Sequence, residues 1–258
     1  IIPPAQISAS PARITLDLDG PSANGSIRLQ NLGDKPVSVR TQVSNFRLDE
    51  ENRLEEIPPT PQSLDQWIVI NPVDFTIPAG QQQVVRFSVR PRTRPAPGEH
   101  RAMVFFEEVP DPAAIEEGVR VNFRMGVAIY GLAGETVSRG QLHGLEARQA
   151  GDVIELAADI ESLGNALVRL EAQYSIWPRE QFPGEANIRQ YTLTGQQRNV
   201  PETAVAAGPT PSTPVFPETR RTIRFPREKP QLPGDDIIAI HGKLGEEAVT
   251  GTVTLTIR

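Results

Sequence analysis

Apolar and polar residues alternate along most of this chain with a period of two. Ile14, Leu16 and Leu18 alternate with Thr15 and Asp17, and Ile27 and Leu29 with Arg28 and Gln30. The turn signal Asn31-Leu32-Gly33-Asp34 follows, and then Val37, Val39, Thr41 and Val43 recur at every second position. Trp67 to Ile70, Val84 to Val89, Ala102 to Phe106 and Val119 to Tyr130 continue the pattern. Period-two alternation bounded by Gly, Pro, Asn and Asp is the mark of half-buried strands. At least seven strands are predicted before Gly131, at the spacing of an all-β sandwich.

The pattern restarts after Gly131-Leu132-Ala133-Gly134, which sets two domains, 1–133 and 134–258. Strands are predicted at Leu142 to Glu146, Val153 to Ile160 and Ala166 to Trp177, and again at Arg220 to Phe225, Ile237 to Leu244 and Val249 to Ile257. Between them, residues 178–217 are rich in Pro, Gly, Gln and Thr and read as a long insertion, with a short strand expected near Ile188 to Leu193. A loop of that length is normally functional or disordered.

The longest alternation is Val119 to Ile129. Val119, Val121, Phe123, Met125, Val127 and Ile129 share one face, and Arg120, Asn122 and Arg124 the other. Eleven extended residues span roughly 36 Å, well beyond a typical strand. Such a strand is either ordinary core or overhangs the core and offers its apolar face, and at a sheet edge its backbone, to a guest. Arg13 opens the first strand on the face opposite Ile14 and Leu16. It reads as a solvated arginine or as an anchor for a carboxylate, which a guanidinium grips with two parallel donors.

Composition then removes alternatives. The 258 residues contain no cysteine, so there is no disulfide framework, thiolate metal site or cysteine nucleophile. The net charge of −6 argues against nucleic acid, which needs clustered Lys and Arg. No apolar run reaches the ~18 residues of a membrane span. The first residue is Ile1, and no charged-then-apolar signal segment is visible, as expected of a mature secreted protein or a trimmed chain. The three histidines, His100, His143 and His241, fall in separate segments without metal-ligand spacing, and His100 is expected at the surface. Glu107-Glu108 and Glu116-Glu117 flank a Pro-containing stretch and read as solvated loop charge. There is no GxSxG, P-loop or GxGxxG, so neither catalysis nor a cofactor is expected.

Taken together, several segments resemble the periplasmic pilus-assembly chaperones of the chaperone–usher pathway. They are Ile7 to Ile14, the turn Asn31 to Pro36, and Trp67-Ile68 with Asn71-Pro72 and Phe75. Pro78 to Gln81 with Val85-Arg86, Gly98 to Ala102, Phe105 to Pro110 and Val127 to Tyr130 complete the series. The resemblance covers 5–132 well and 137–258 loosely, through Asn165 and Thr219-Arg220-Arg221. It implies two immunoglobulin-like β-sandwich domains set as a boomerang, a periplasmic location, and no enzymatic step. It also implies pilin-like subunits and an outer-membrane usher as partners, with self-association through the donor strand when no subunit is bound.

The donor residues it implies are Val119, Val121, Phe123, Met125 and Val127, preceded by a mobile loop at 108–118. Arg13 matches the first of two basic anchors for the subunit's terminal carboxylate. The second anchor in the family is a lysine late in the strand. Here Val127, Ala128 and Ile129 occupy that region, and Arg124 is the candidate substitute. The competing expectation is an interaction module of a surface assembly, with the stripe in the core and the 178–217 insertion as the contact site.

Overall fold

The computed structural model describes residues 7–21, 23–109, 122–193, 199–228 and 234–257. The fold divides between Thr136 and Val137 into two compact units. Strands dominate both, and among the described residues helical structure is confined to three single 3-10 turns.

The first unit contains β1 (Ile7–Ser10), β2 (Arg13–Asp17), β3 (Asn24–Asn31), β4 (Val37–Leu48), β5 (Leu54–Ile57), β6 (Ile68–Asn71), β7 (Asp74–Ile77), β8 (Gln82–Val89), β9 (Gly98–Glu108) and β10 (Arg124–Ala133). One sheet has the order β1-β3-β8-β6, and the other β2-β10-β9-β4-β5 with β7 also against β4. The sheets face each other across a core that takes Ile27, Leu29, Val85 and Phe87 from one and Val39, Val104, Phe106 and Ile129 from the other. Each contributes every second residue, so the alternation in the sequence is the imprint of one buried face per strand. The chain changes sheets between β1 and β2, and β2 then runs parallel to β10, Arg13 beside Ala128 and Asp17 beside Leu132.

Asn31 secures the turn after β3. It is fully buried, its Nδ2 donates to the carbonyls of Ile77 (3.0 Å) and Lys35 (2.8 Å), and its Oδ1 accepts from Gly33 N (2.9 Å). A buried amide so placed replaces the backbone bonds that the turn cannot make for itself.

The second unit contains β11 (Gly140–Ala150), β12 (Val153–Ser162), β13 (Val168–Pro178), β14 (Ala206–Pro209), β15 (Pro214–Val215), β16 (Arg220–Glu228), β17 (Gly234–Leu244) and β18 (Glu247–Ile257). Its sheets are β11-β12-β16 and β14-β13-β17-β18, with β15 also on β13. Leu156, Ile160, Val168, Ile176, Phe225 and Ile240 form its core. Both units are therefore immunoglobulin-like β-sandwiches.

Several expectations are corrected. No strand forms at 188–193; instead 3-10 turns occupy Arg179–Gln181 and Glu185–Asn187, and β14 and β15 lie farther on. Part of the insertion is tied to β13. Ile188 and Tyr191 are buried, Tyr191 lies 6.3 Å from Trp177 by ring centroid, and the Gln173 side chain bonds both the N–H and the carbonyl of Tyr191 at 2.7 Å. Trp67 closes a 3-10 turn, and the strand starts at Ile68. His100 is buried, not superficial. Its Nδ1 lies 2.7 Å from the carbonyl of Gln62, its Nε2 2.9 Å from that of Ala96, and its ring packs on Trp67. Glu107 and Glu108 end a strand and are not loop charge. Glu116 and Glu117 lie outside the described residues.

Candidate functional site

The functional expectation rests on β10 and the residues before it. Val119 and Val121 lie outside the described residues. Phe123 directly precedes β10, and its carbonyl accepts from Glu108 N at 3.1 Å, so the pairing with β9 continues past the strand's formal start. Phe123 and Met125 are half-buried against the first core, whereas Val127 and Ile129 are fully inside it. The apolar row thus emerges from the core towards its N-terminal end.

The two edges of β10 differ. The β9 side is paired from Arg124 opposite Glu107 to Ala133 opposite Gly98. The β2 side is paired only from Ala128 onward. Among the described residues, Arg124 to Val127 have no strand on that side. Unpaired edge backbone is a template for a further strand.

Arg13 stands where this open edge ends. It is exposed, opens β2 beside Ala128, and has no side-chain partner among the described residues. Arg124 is differently placed. Its Nε donates to Glu107, its Nη2 lies 2.6 Å from Glu56 Oε1, and its guanidinium carbon sits 3.6 Å from the centroid of the Phe105 ring. Burial opposes its charge, but the bonds to Glu56 and Glu107 outweigh that and hold its pKa above the ordinary value. Glu56 is held below the usual carboxylate range, chiefly by a hydrogen bond from Ser44 and, against the opposing effect of burial, by Arg124. An incoming carboxylate at Arg124 would have to displace two resident ones.

Between the two arginines the outer face of β10 carries only Gly126 and Ala128. A Cβ on Gly126 would fall 2.8 Å from Met103 Sδ, so glycine lets Met103 and Phe105 lie flat beneath the strand. Sequence reasoning missed this outer layer, because Met103 and Phe105 read as alternation partners of the core residues and not as a second buried set.

Among the described residues no group of three metal-ligating side chains converges, and no helix is long and apolar enough to cross a membrane. His143 pairs with Glu161 at 2.6 Å, and His241 faces Thr250 at 3.1 Å. What β10 offers chemically is non-covalent: an open edge, an emerging apolar row, and a free guanidinium at its end.

Residues 6–129 match the model of the pili and flagellar-assembly chaperones, PapD N-terminal domain. The match lies within the first unit, which it makes a PapD-type N-terminal chaperone domain. Members of this pilus-assembly family are periplasmic chaperones and not enzymes. Among solved structures, the chain is similar to the class 5 fimbriae chaperone CfaA at 14% identity over 98% of this chain and 99% of that one, with a TM-score of 0.46. It is also similar to the E. coli chaperone DraB, at 12% identity over 96% of each chain and a TM-score of 0.44. The Pseudomonas aeruginosa CupB2 chaperone matches at 12% identity over 97% of this chain and 100% of that one, with a TM-score of 0.43. No curated protein matches the chain at a significant level.

Proposed function

We propose that this chaperone captures pilin-like subunits in the periplasm by strand donation and delivers them to an outer-membrane usher. The observation that carries the reading is the open edge of β10 at Arg124 to Val127, with Phe123 and Met125 half-buried beside it. A subunit with an incomplete sandwich would pair its backbone along that edge and cover the row Val119, Val121, Phe123, Met125 and Val127. Completing the burial of each large side chain contributes about 1.5–3 kcal/mol, less the part already buried. The backbone bonds fix direction and the alternate side chains fix register.

Arg13 sets the end of the run. A guest strand advancing along the open edge is stopped by β2 at Arg13, so a carboxylate at its terminus meets a guanidinium that has no other partner among the described residues. Arg124, bound to Glu56 and Glu107, holds the outer face of β10 in this scheme and leaves the anchoring to Arg13. The free-state self-association implied by the family would use the same edge.

The test is co-expression with a pilin-like subunit that lacks its own final strand, followed by co-purification from periplasm. Phe123→Glu with Met125→Glu should abolish capture while circular dichroism and the melting transition show a folded protein. Arg13→Ala should weaken capture. Undiminished capture by the double variant would rule out donation from this segment.

A further inference from the structure

The outer face of the β1-β3-β8-β6 sheet lies away from β10 and plays no part in strand donation. Its inward positions, among them Ile27, Leu29, Val85 and Phe87, fill the core. Its outward positions alternate with them and include Ser26, Arg28, Gln30, Gln82, Arg86 and Val69. No outward position on these four strands is acidic, although the chain carries a net charge of −6. Arg28 lies opposite Val84 and Arg86 opposite Ser26, so the two arginines are diagonal neighbours on adjacent strands. That spacing brings their side chains within about 7–8 Å at the backbone.

The opposite sheet of the same unit is built otherwise. Its outer face is cross-linked within itself: Arg40 to Asp74 at 2.8 Å, Arg47 to Glu55 at 2.7 Å, Ser38 to Thr76 at 3.0 Å, and Arg124 to Glu56 and Glu107. On the β1-β3-β8-β6 face, by contrast, no outward side chain makes a hydrogen bond or ion pair to another described residue. Donors and acceptors there face solvent, around two adjacent guanidinium forks. Val69, 53% exposed on the edge strand β6 and diagonal to Arg86 across the β6–β8 pairing, adds an apolar contact.

We infer that this face is a docking surface for an extended, carboxylate-bearing protein segment. The charge decides the class of partner. Two arginines form the bidentate pairs that carboxylates take, and no acidic neighbour competes for them. Anionic membranes are recognised by clusters of four to eight basic residues, and nucleic acid by more phosphate contacts than two arginines supply. The flat, amide- and hydroxyl-rich surroundings suit a peptide backbone. The surface is separate from the open edge of β10, so both sites could be filled together.

The experiment uses the full chain, 15N-labelled, titrated at low salt with an acidic synthetic peptide of about a dozen residues built from Asp, Glu and Ser. Amide shifts should map to β3, β8 and β6, and binding should weaken as salt rises. Arg28→Glu with Arg86→Glu should reduce affinity about tenfold or more. Arg40→Glu, which reverses a charge already paired to Asp74, should leave the shift pattern on β3 and β8 in place. Three results would overturn the inference. The first is shifts confined to other surfaces. The second is binding to anionic phospholipid vesicles with none to the peptide. The third is a concentration-dependent dimer that the double variant abolishes, which would make the occupant a second copy of this chain.

Discussion

Replacing Asn31 tests whether its buried amide, and not merely its bulk, organises the first unit. Asn31→Ala removes the donor to Ile77 O and Lys35 O and the acceptor for Gly33 N. A fully buried group left without its partner costs about 1–3 kcal/mol, and one that water can reach costs less. Only the Ile77 bond is fully buried; the other two are partly so. The sum is about 2–5 kcal/mol, a large share of the ~5–15 kcal/mol of a typical domain. Asn31→Asp separates donor from size. It keeps the acceptor for Gly33 N but turns a carboxylate oxygen towards the carbonyls of Ile77 and Lys35, so at neutral pH it should destabilise at least as much as alanine.

The two tryptophans fall one to each unit and both are buried. In a Trp177→Phe background, Trp67 fluorescence therefore reports the first unit alone during urea unfolding. If both Asn31 variants unfold within about 0.5 kcal/mol of the parent, in the range of an ordinary surface change, the assigned role is wrong.

Other outcomes follow from the same geometry. Arg124→Ala uncovers Phe105 and strands Glu56 and Glu107, and should cost about 1–2 kcal/mol in urea unfolding, the sum of an exposed cation–π contact and two solvent-screened ion pairs. Asp236 is 5% exposed, and burial, with Asp235 nearby, raises its pKa. The folded state therefore binds its proton more tightly, and the penalty for the charged form is present above the raised pKa and disappears below the unfolded value. Asp236→Asn should accordingly raise the melting temperature at neutral pH, with the gain shrinking as pH falls. Arg220→Ala should change stability little, since its bond to Asp159 is largely exposed to solvent, and thermal melts at two salt concentrations would check this.

Most strands were legible because each half-buried strand writes its inward face into the sequence as alternation. The family motifs were legible for a related reason: a turn such as Asn31 to Asp34 concentrates residues with specific backbone and side-chain demands. Short strands were not. β5 and β7 have four residues each, too few for a period, and they exist because β4 offers them an edge. The loop reading of 178–217 failed where sparse apolar residues such as Ile188 and Tyr191 found cover against β13, which composition does not encode.

Site details that depend on register were equally hidden. Arg124 reaches Glu56 across 68 positions of sequence, which made it look available as an anchor when it is engaged. The acid-free face emerges only once β3 and β8 are paired, since Arg28 and Arg86 are far apart in the chain. The open edge of β10 is a property of where β2 starts, and no residue type announces it.

Amide hydrogen exchange of the protein, free and mixed with a pilin-like subunit, probes the proposed strand donation most directly. The account predicts that the amides of Arg124 to Val127 that point to the open edge, away from β9, exchange faster in the free protein than those bonded to β9 and become strongly protected in the complex, while β3 and β8 are unchanged. Protection that appears elsewhere and leaves these amides exchanging as in the free protein would contradict it.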